Sequence, residues 1–69
     1  MIIKVTDLET MEEIYFGDAD NFLFLNNNDE ELEYFLGKIE RLNFGQGKKF
    51  VSYLGSEYLI EKEEDELIY

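Results

Sequence analysis

The chain contains neither cysteine nor histidine, and in 69 residues this absence restricts how a fold can be stabilised. Neither a disulfide nor a zinc site built on thiolate or imidazole ligands can form, and a chain of this length buries only about 60% of its unfolded surface. Six Phe and five Tyr nevertheless supply large side chains for a core, whereas disordered chains are poor in aromatic residues. We therefore expect one domain, residues 1–69, that is stabilised by packing alone or by packing against a second subunit.

One helix is predicted from the period of its apolar side chains. These recur at helical spacing at Leu32, Phe35, Leu36, Ile39 and Leu42. Asn28 is predicted to cap the helix, with Glu31 three residues later completing a capping box. Lys38 and Arg41 fall in the last turns, where cations are favoured, and Gly45 is a natural residue to end the helix. The pattern predicts a helix over about 29–43.

Segments on both sides of this helix have the composition of strands. Before it, strands are predicted at 2–6, 13–16 and 22–25, and the last of these is a continuous apolar run. Residues 17–21 between the second and third strands have the composition of a loop. With a hairpin after the helix, these segments predict an α+β fold. We expect an antiparallel sheet of 4–5 strands with the helix on one face, in the order β-β-β-α-β-β.

The segment after the helix is typical of a hairpin, because Gly55-Ser56 suits a two-residue turn with glycine first. The predicted pairs are Leu54 with Glu57, Tyr53 with Tyr58, Val51 with Ile60 and Lys49 with Lys62. The predicted core-facing residues are Val51, Tyr53, Tyr58 and Ile60. The opposite face would carry apolar side chains at Phe50, Leu54 and Leu59, which need cover from another element or from a second subunit.

The net charge constrains the classes of partner. Seventeen Asp and Glu oppose six Lys and Arg, which gives a formal net charge of -11 at pH 7. Such a charge opposes binding to nucleic acid or to an anionic membrane and favours encounter with basic protein surfaces. Solubility alone, or a salt-rich host, is the alternative explanation of the same composition.

Two groups of carboxylates are predicted to bind a basic partner. On a helical wheel the first group lies on one flank of the helix, and it consists of Asp29, Glu30, Glu33 and Glu40. The second group lies in the hairpin and in the acidic run at 61–66, and it consists of Glu57, Glu61, Glu63, Glu64, Asp65 and Glu66. The apolar residues that follow the acidic run are predicted to anchor it on the core or on a partner. Together with the outer face of the hairpin they are the candidate dimer contacts: Phe50, Leu54, Leu59, Leu67, Ile68 and Tyr69.

Several chemistries are excluded by residue type. A Ser–His or Cys–His nucleophile is absent, and the glycine-rich stretch 45–49 departs from a phosphate-binding loop at Leu42 and Lys49. The stretch 18–20 begins like a calcium-binding loop, but Phe22 and Leu23 occupy positions that need a ligand and a glycine. We therefore expect no catalytic residue, no cofactor and no dedicated metal site, and we expect the protein not to be an enzyme. Weak Mg²⁺ or Ca²⁺ binding by the carboxylates at 61–66 stays open.

Composition also indicates an origin. Ala19 is the only alanine, proline is absent, and Ile, Asn, Lys, Glu, Phe and Tyr, whose codons are AT-rich, are abundant. This bias is typical of a low-GC bacterium or one of its phages. No apolar run approaches the roughly 18 residues of a membrane span, and the first residues do not resemble a signal peptide. A bacterial cytoplasmic location without membrane contact is therefore expected.

Two functional hypotheses follow from the sequence. The first is a non-enzymatic, phage-derived inhibitor that covers a basic, nucleic-acid-binding surface of a host protein, as DNA-mimicking anti-restriction or anti-CRISPR proteins do. Such a protein would not itself bind nucleic acid. The alternative is a small homodimeric structural or assembly module whose acidity serves only solubility.

Overall fold

The computed structural model describes residues 1–64, which form four strands and two helices. In chain order these are β1 (Ile2–Asp7), β2 (Glu12–Asp18), α1 (Ala19–Leu25), α2 (Glu30–Glu40), β3 (Gly47–Val51) and β4 (Glu57–Glu63). The strands make one antiparallel sheet in the order β2-β1-β4-β3. The α+β prediction is confirmed, but the element order is β-β-α-α-β-β. The predicted contacts Asp65, Glu66, Leu67, Ile68 and Tyr69 lie outside the described residues.

The predicted third strand, 22–25, is wrong: this apolar run belongs to α1. Asp18 caps the helix, and its Oδ1 accepts a hydrogen bond from the backbone N–H of Asp20 at 2.8 Å. In a helix the run divides between core and solvent, so that Phe22 is half-buried against the core while Phe24 is 68% exposed. A short apolar run shows no periodicity by which a strand could be told from a helix. Here the N-cap at Asp18 favours the helix.

The amphipathic helix is confirmed as α2, but it is shorter than the predicted 29–43 at both ends. Its N-cap is Asp29, whose Oδ1 accepts hydrogen bonds from the N–H groups of Glu31 at 2.8 Å and Leu32 at 3.4 Å. The predicted cap Asn28 instead has a φ of 52°, in the left-handed region that asparagine tolerates, and serves the turn between the helices. At the other end the C-cap is Arg41, so Gly45 does not end the helix.

The predicted hairpin register is wrong by three residues. Val51 pairs with Glu57 and Phe50 pairs with Tyr58, and residues 52–56 form a loop in place of a two-residue turn. The shift turns Phe50 toward the helices, where its ring centroid lies 5.0 Å from that of Phe35. Burial of Phe50 therefore outweighs the local turn preference. Of the predicted core-facing residues, Val51 is 49% exposed.

The core lies between one face of the sheet and both helices. Its buried side chains are Ile3, Val5, Ala19, Leu32, Leu36, Ile39 and Ile60. Side chains alternate along a strand, so the residues between these point to the opposite face of the sheet. Among residues 1–64 no helix covers that opposite face, because α1 and α2 both pack on the core side.

Candidate interaction surface

The strand β2 lies at one edge of the sheet and carries carboxylates at both of its ends. The last residue of β1, the turn that precedes β2 and the first turn of the helix that follows it add further carboxylates. We call this group the acidic edge, and it consists of Asp7, Glu9, Glu12, Glu13, Asp18 and Asp20. All of these side chains except the half-buried Asp7 are exposed.

Two carboxylates of the acidic edge also stabilise local backbone. Asp7 Oδ1 accepts a hydrogen bond from the N–H of Glu9, and Asp18 Oδ1 accepts one from the N–H of Asp20, each at 2.8 Å. Such Asp side chains favour the turn and the helix start at which they stand. Within residues 1–64 the other four carboxylates of the edge accept no hydrogen bond from protein donors, and they are free to meet a partner.

The basic residues lie mostly in another part of the fold. Neither β2 nor α1 contains a Lys or Arg, and β1 contains only Lys4. Along residues 1–64 two ion pairs form, Lys49–Glu57 at 2.7 Å and Lys4–Glu61 at 4.0 Å, and neither includes a residue of the acidic edge. The charge of the edge is therefore left uncompensated by the described part of the protein.

Sequence reasoning missed the acidic edge although a signal for it was present. Residues 5–37 contain ten Asp and Glu but no Lys or Arg. The significance of this stretch depends on strand order, because only the sheet topology makes β2 an edge strand. The predicted sites instead came from local patterns, namely one helix flank and one acidic run.

The carboxylates that were predicted to bind a partner do not form one surface in the described structure. Asp29, Glu30, Glu33 and Glu40 lie in the helical layer, where Asp29 serves as the cap of α2. Glu57, Glu61 and Glu63 alternate with the buried Ile60 on β4 and therefore lie on the opposite face of the sheet. Glu64 follows β4 and is exposed.

The candidate dimer contacts also lie on different surfaces of the fold. Phe50 packs on Phe35, so its predicted place on the outer face of the hairpin is corrected. Leu59 does lie on that outer face and is half-buried, as expected from its position next to Ile60. Leu54 lies in the loop 52–56 and is 77% exposed.

An open cleft of mixed polarity lies where the helices meet this loop. Its volume is about 310 Å³, and its lining combines apolar side chains such as Ile14, Phe22 and Leu54 with polar ones such as Asn26 and Asp29. Ile14 is the extra residue at a β-bulge, since Val5 pairs with Tyr15 while Thr6 pairs with Glu13. The bulge lies next to the acidic edge, so this end of the molecule combines exposed carboxylates with exposed apolar side chains.

Two further observations limit the chemistry of the described region. No group of three Asp or Glu side chains within residues 1–64 is close enough together to hold a metal ion. Neither α1 nor α2 is long and apolar enough to cross a membrane. No protein-family model, no curated protein and no solved structure matches the chain.

Proposed function

We propose that this protein is a non-enzymatic acidic inhibitor that binds a basic surface of another protein, and that this surface normally contacts nucleic acid. It would act in the bacterial cytoplasm as a phage-derived DNA mimic, of the type that blocks restriction or CRISPR nucleases. The observation that carries the proposal is the acidic edge: six carboxylates without an ion-pair partner in residues 1–64.

The grouping of these carboxylates supports a mimic of phosphates. Lys and Arg side chains that normally bind phosphate oxygens form the same kind of charge-assisted hydrogen bond with carboxylate oxygens. A partner surface built for nucleic acid can therefore bind the acidic edge instead. A net charge of -11 would also accelerate encounter with such a surface and make it depend on salt.

The function is tested by capturing partners from a bacterial lysate on the immobilised protein. Capture at about 50 mM and about 500 mM salt separates partners held by charge from those held by apolar contact. We expect the salt-sensitive partners to be nucleic-acid-binding proteins that release the protein when duplex DNA is added. Partners that are not basic, or that stay bound in the presence of excess DNA, contradict the proposal.

A matched pair of variants sharpens this test. The edge-neutral variant changes Glu9, Glu12 and Glu13 to Gln and Asp20 to Asn, and it leaves the hydrogen-bonded carboxylates of the edge in place. The helix-neutral variant changes Glu30, Glu31, Glu33 and Glu40 of the α2 region to Gln and removes the same charge. We expect the edge-neutral variant alone to lose the partner.

A homodimeric assembly module is the second candidate, and the exposed apolar side chains favour it. Tyr53 is 82% and Leu54 77% exposed beside the open cleft, and Phe24 of α1 is 68% exposed. Exposed apolar patches of this kind commonly mark contact surfaces. Light scattering over a range of concentrations tests this candidate: the module requires a stable dimer, and a monomer at all concentrations rules it out.

A further inference from the structure

The two edges of the sheet differ in how they are protected against pairing with another strand. Exposed edge strands are commonly blocked by charged side chains, especially Lys, by Pro, by a β-bulge or by a covering element. The β3 edge contains Lys48 and Lys49, both exposed. The β2 edge contains neither Lys nor Pro; its charges are carboxylates, which oppose an acidic strand but not a basic one, and its bulge lies at Ile14. Among residues 1–64 no strand pairs with its free side.

Apolar side chains are exposed along the β2 edge. Ile14 is 49% and Phe16 54% exposed, and both belong to β2. From Tyr15 to Asp18 the strand pairs residue for residue with β1, so its backbone is regular there. The outward carbonyl of Asp18 already accepts a hydrogen bond from the Tyr15 hydroxyl at 2.8 Å, so a strand placed alongside would pair mainly with the backbone of Phe16 and would cover its side chain. The bulge at Ile14 limits the regular pairing on the other side.

The charges of β2 indicate which kind of strand can pair with its free edge. A second copy pairing antiparallel through its own β2 would bring Glu12 and Glu13 of each copy close to Asp18 of the other, which is unfavourable. The β3 strand of a second copy offers Lys49, but that ammonium group is held by Glu57 at 2.7 Å, and two chains of charge -11 repel. An extended segment with basic and apolar residues in alternation satisfies both the carboxylates and Phe16.

We propose that β2 accepts an extended basic segment of the partner protein as an additional antiparallel strand. This inference rests on the proposed function and specifies how the partner is held. Backbone hydrogen bonds to β2 supply affinity, and contacts with Phe16 and the acidic edge select alternating apolar and basic side chains. The partner is thus recognised through a flexible or edge-strand segment as well as through its charge.

The test uses a synthetic peptide of about nine residues, with blocked ends, in which Lys and Val alternate. A second peptide has the same charge but carries a proline at its centre, which removes a ladder donor and disfavours the strand. Amide hydrogen exchange and backbone NMR shifts report where each peptide binds. We expect the alternating peptide to protect amides of β2 and to bind at least about tenfold more tightly than the proline peptide.

Two variants provide a matched comparison on opposite edges of the sheet. Phe16→Lys places a lysine on the β2 edge, and Val51→Lys places one at a similarly exposed position of β3. Each adds one positive charge, so the change in net charge is the same in both. We expect Phe16→Lys to weaken binding of the alternating peptide by about tenfold or more and Val51→Lys to change it less than about threefold.

Several results would overturn strand addition. They are equal affinity for the two peptides, protection of β3 amides, no binding of the alternating peptide, and self-association of the protein through β2. The peptide comparison uses the unaltered protein, so its result is valid even if a variant fails to fold.

The outcomes also separate this inference from the proposed function. If capture of basic partners stays salt-sensitive while the two peptides bind equally, the proposed function stands and only binding by strand addition is contradicted. Loss of that salt-sensitive capture contradicts the function itself.

Discussion

The ammonium group of Lys62 on β4 lies 2.7 Å from the backbone carbonyl oxygen of Glu40, the last residue of α2. The same group lies 3.1 Å from the carbonyl oxygen of Leu42, so one lysine binds two acceptors at the C-terminal end of the helix. Backbone hydrogen bonds from Gly45 to Lys62 at 2.7 Å and from Lys62 to Gln46 at 2.8 Å hold the connecting segment against β4. Lys62 thereby joins the helical layer to the sheet, and it is not available to neutralise the acidic edge.

Replacement of Lys62 is expected to destabilise the fold. Lys62→Met removes charge-assisted hydrogen bonds to helix carbonyls, and we expect a loss of about 1–2 kcal/mol in the free energy of unfolding. Lys48→Met is the control, because it removes the same charge from an exposed position on β3. Urea denaturation measures both. Equal losses would show that Lys62 contributes only its charge.

Gly47 is required by the close approach of β3 to β4. A Cβ at this position would lie 2.7 Å from the carbonyl oxygen of Ile60, which is backbone and cannot move aside easily. We expect Gly47→Ala to destabilise the protein by about 1–3 kcal/mol. In contrast, Gly37 in α2 has no atom within 4 Å of such a Cβ, so Gly37→Ala should stabilise by about 0.5–1 kcal/mol. Thermal unfolding of both variants checks the opposite signs.

The observed hairpin register predicts unequal effects for two substitutions that the two-residue turn would make equivalent. Ile60 is 1% exposed, so Ile60→Asp buries an unpaired carboxylate and should unfold the domain, a loss of more than about 4 kcal/mol. Val51 is 49% exposed, so Val51→Asp should cost less than about 1 kcal/mol. Circular dichroism and urea titration distinguish these outcomes. Unfolding by both substitutions would support the register with Val51 opposite Ile60.

The parts of the fold that were predictable from sequence are those set by local pattern. The helical stripe of Leu32, Leu36 and Ile39 specifies α2 because each apolar residue is one turn from the next, and all three are buried. The apolar run at 22–25 has no such period, so its helical state depends on the cap at Asp18 and on packing against Tyr15, 4.9 Å from Phe22 between ring centroids.

The candidate site was less predictable because it depends on contacts between distant parts of the chain. β1 pairs with β4, with Ile2 opposite Glu63, and this pairing leaves β2 at an edge. No local pattern indicates a neighbour more than fifty residues away in sequence. The prediction of a two-residue turn at Gly55-Ser56 was wrong for a related reason. The contact of Phe50 with Phe35, which is distant in sequence, selects the register of the hairpin.

Salt is expected to stabilise the protein. With a net charge of -11 and two ion pairs in residues 1–64, repulsion among carboxylates opposes the compact state, and added salt screens it. We expect Tm to rise between about 10 mM and about 500 mM NaCl. The edge-neutral variant should begin with a higher Tm and respond less to salt. A Tm that falls with salt would indicate net stabilisation by the charges.

The most direct test is the affinity of the captured basic partner for the edge-neutral and helix-neutral variants, measured by calorimetry at low and at high salt. The two variants carry the same net charge, so any difference between them reports the position of the carboxylates. We predict that the edge-neutral variant loses about tenfold or more in affinity at low salt and that the helix-neutral variant loses less than about threefold. Equal losses in both variants, or full affinity in the edge-neutral variant, would contradict binding through the acidic edge.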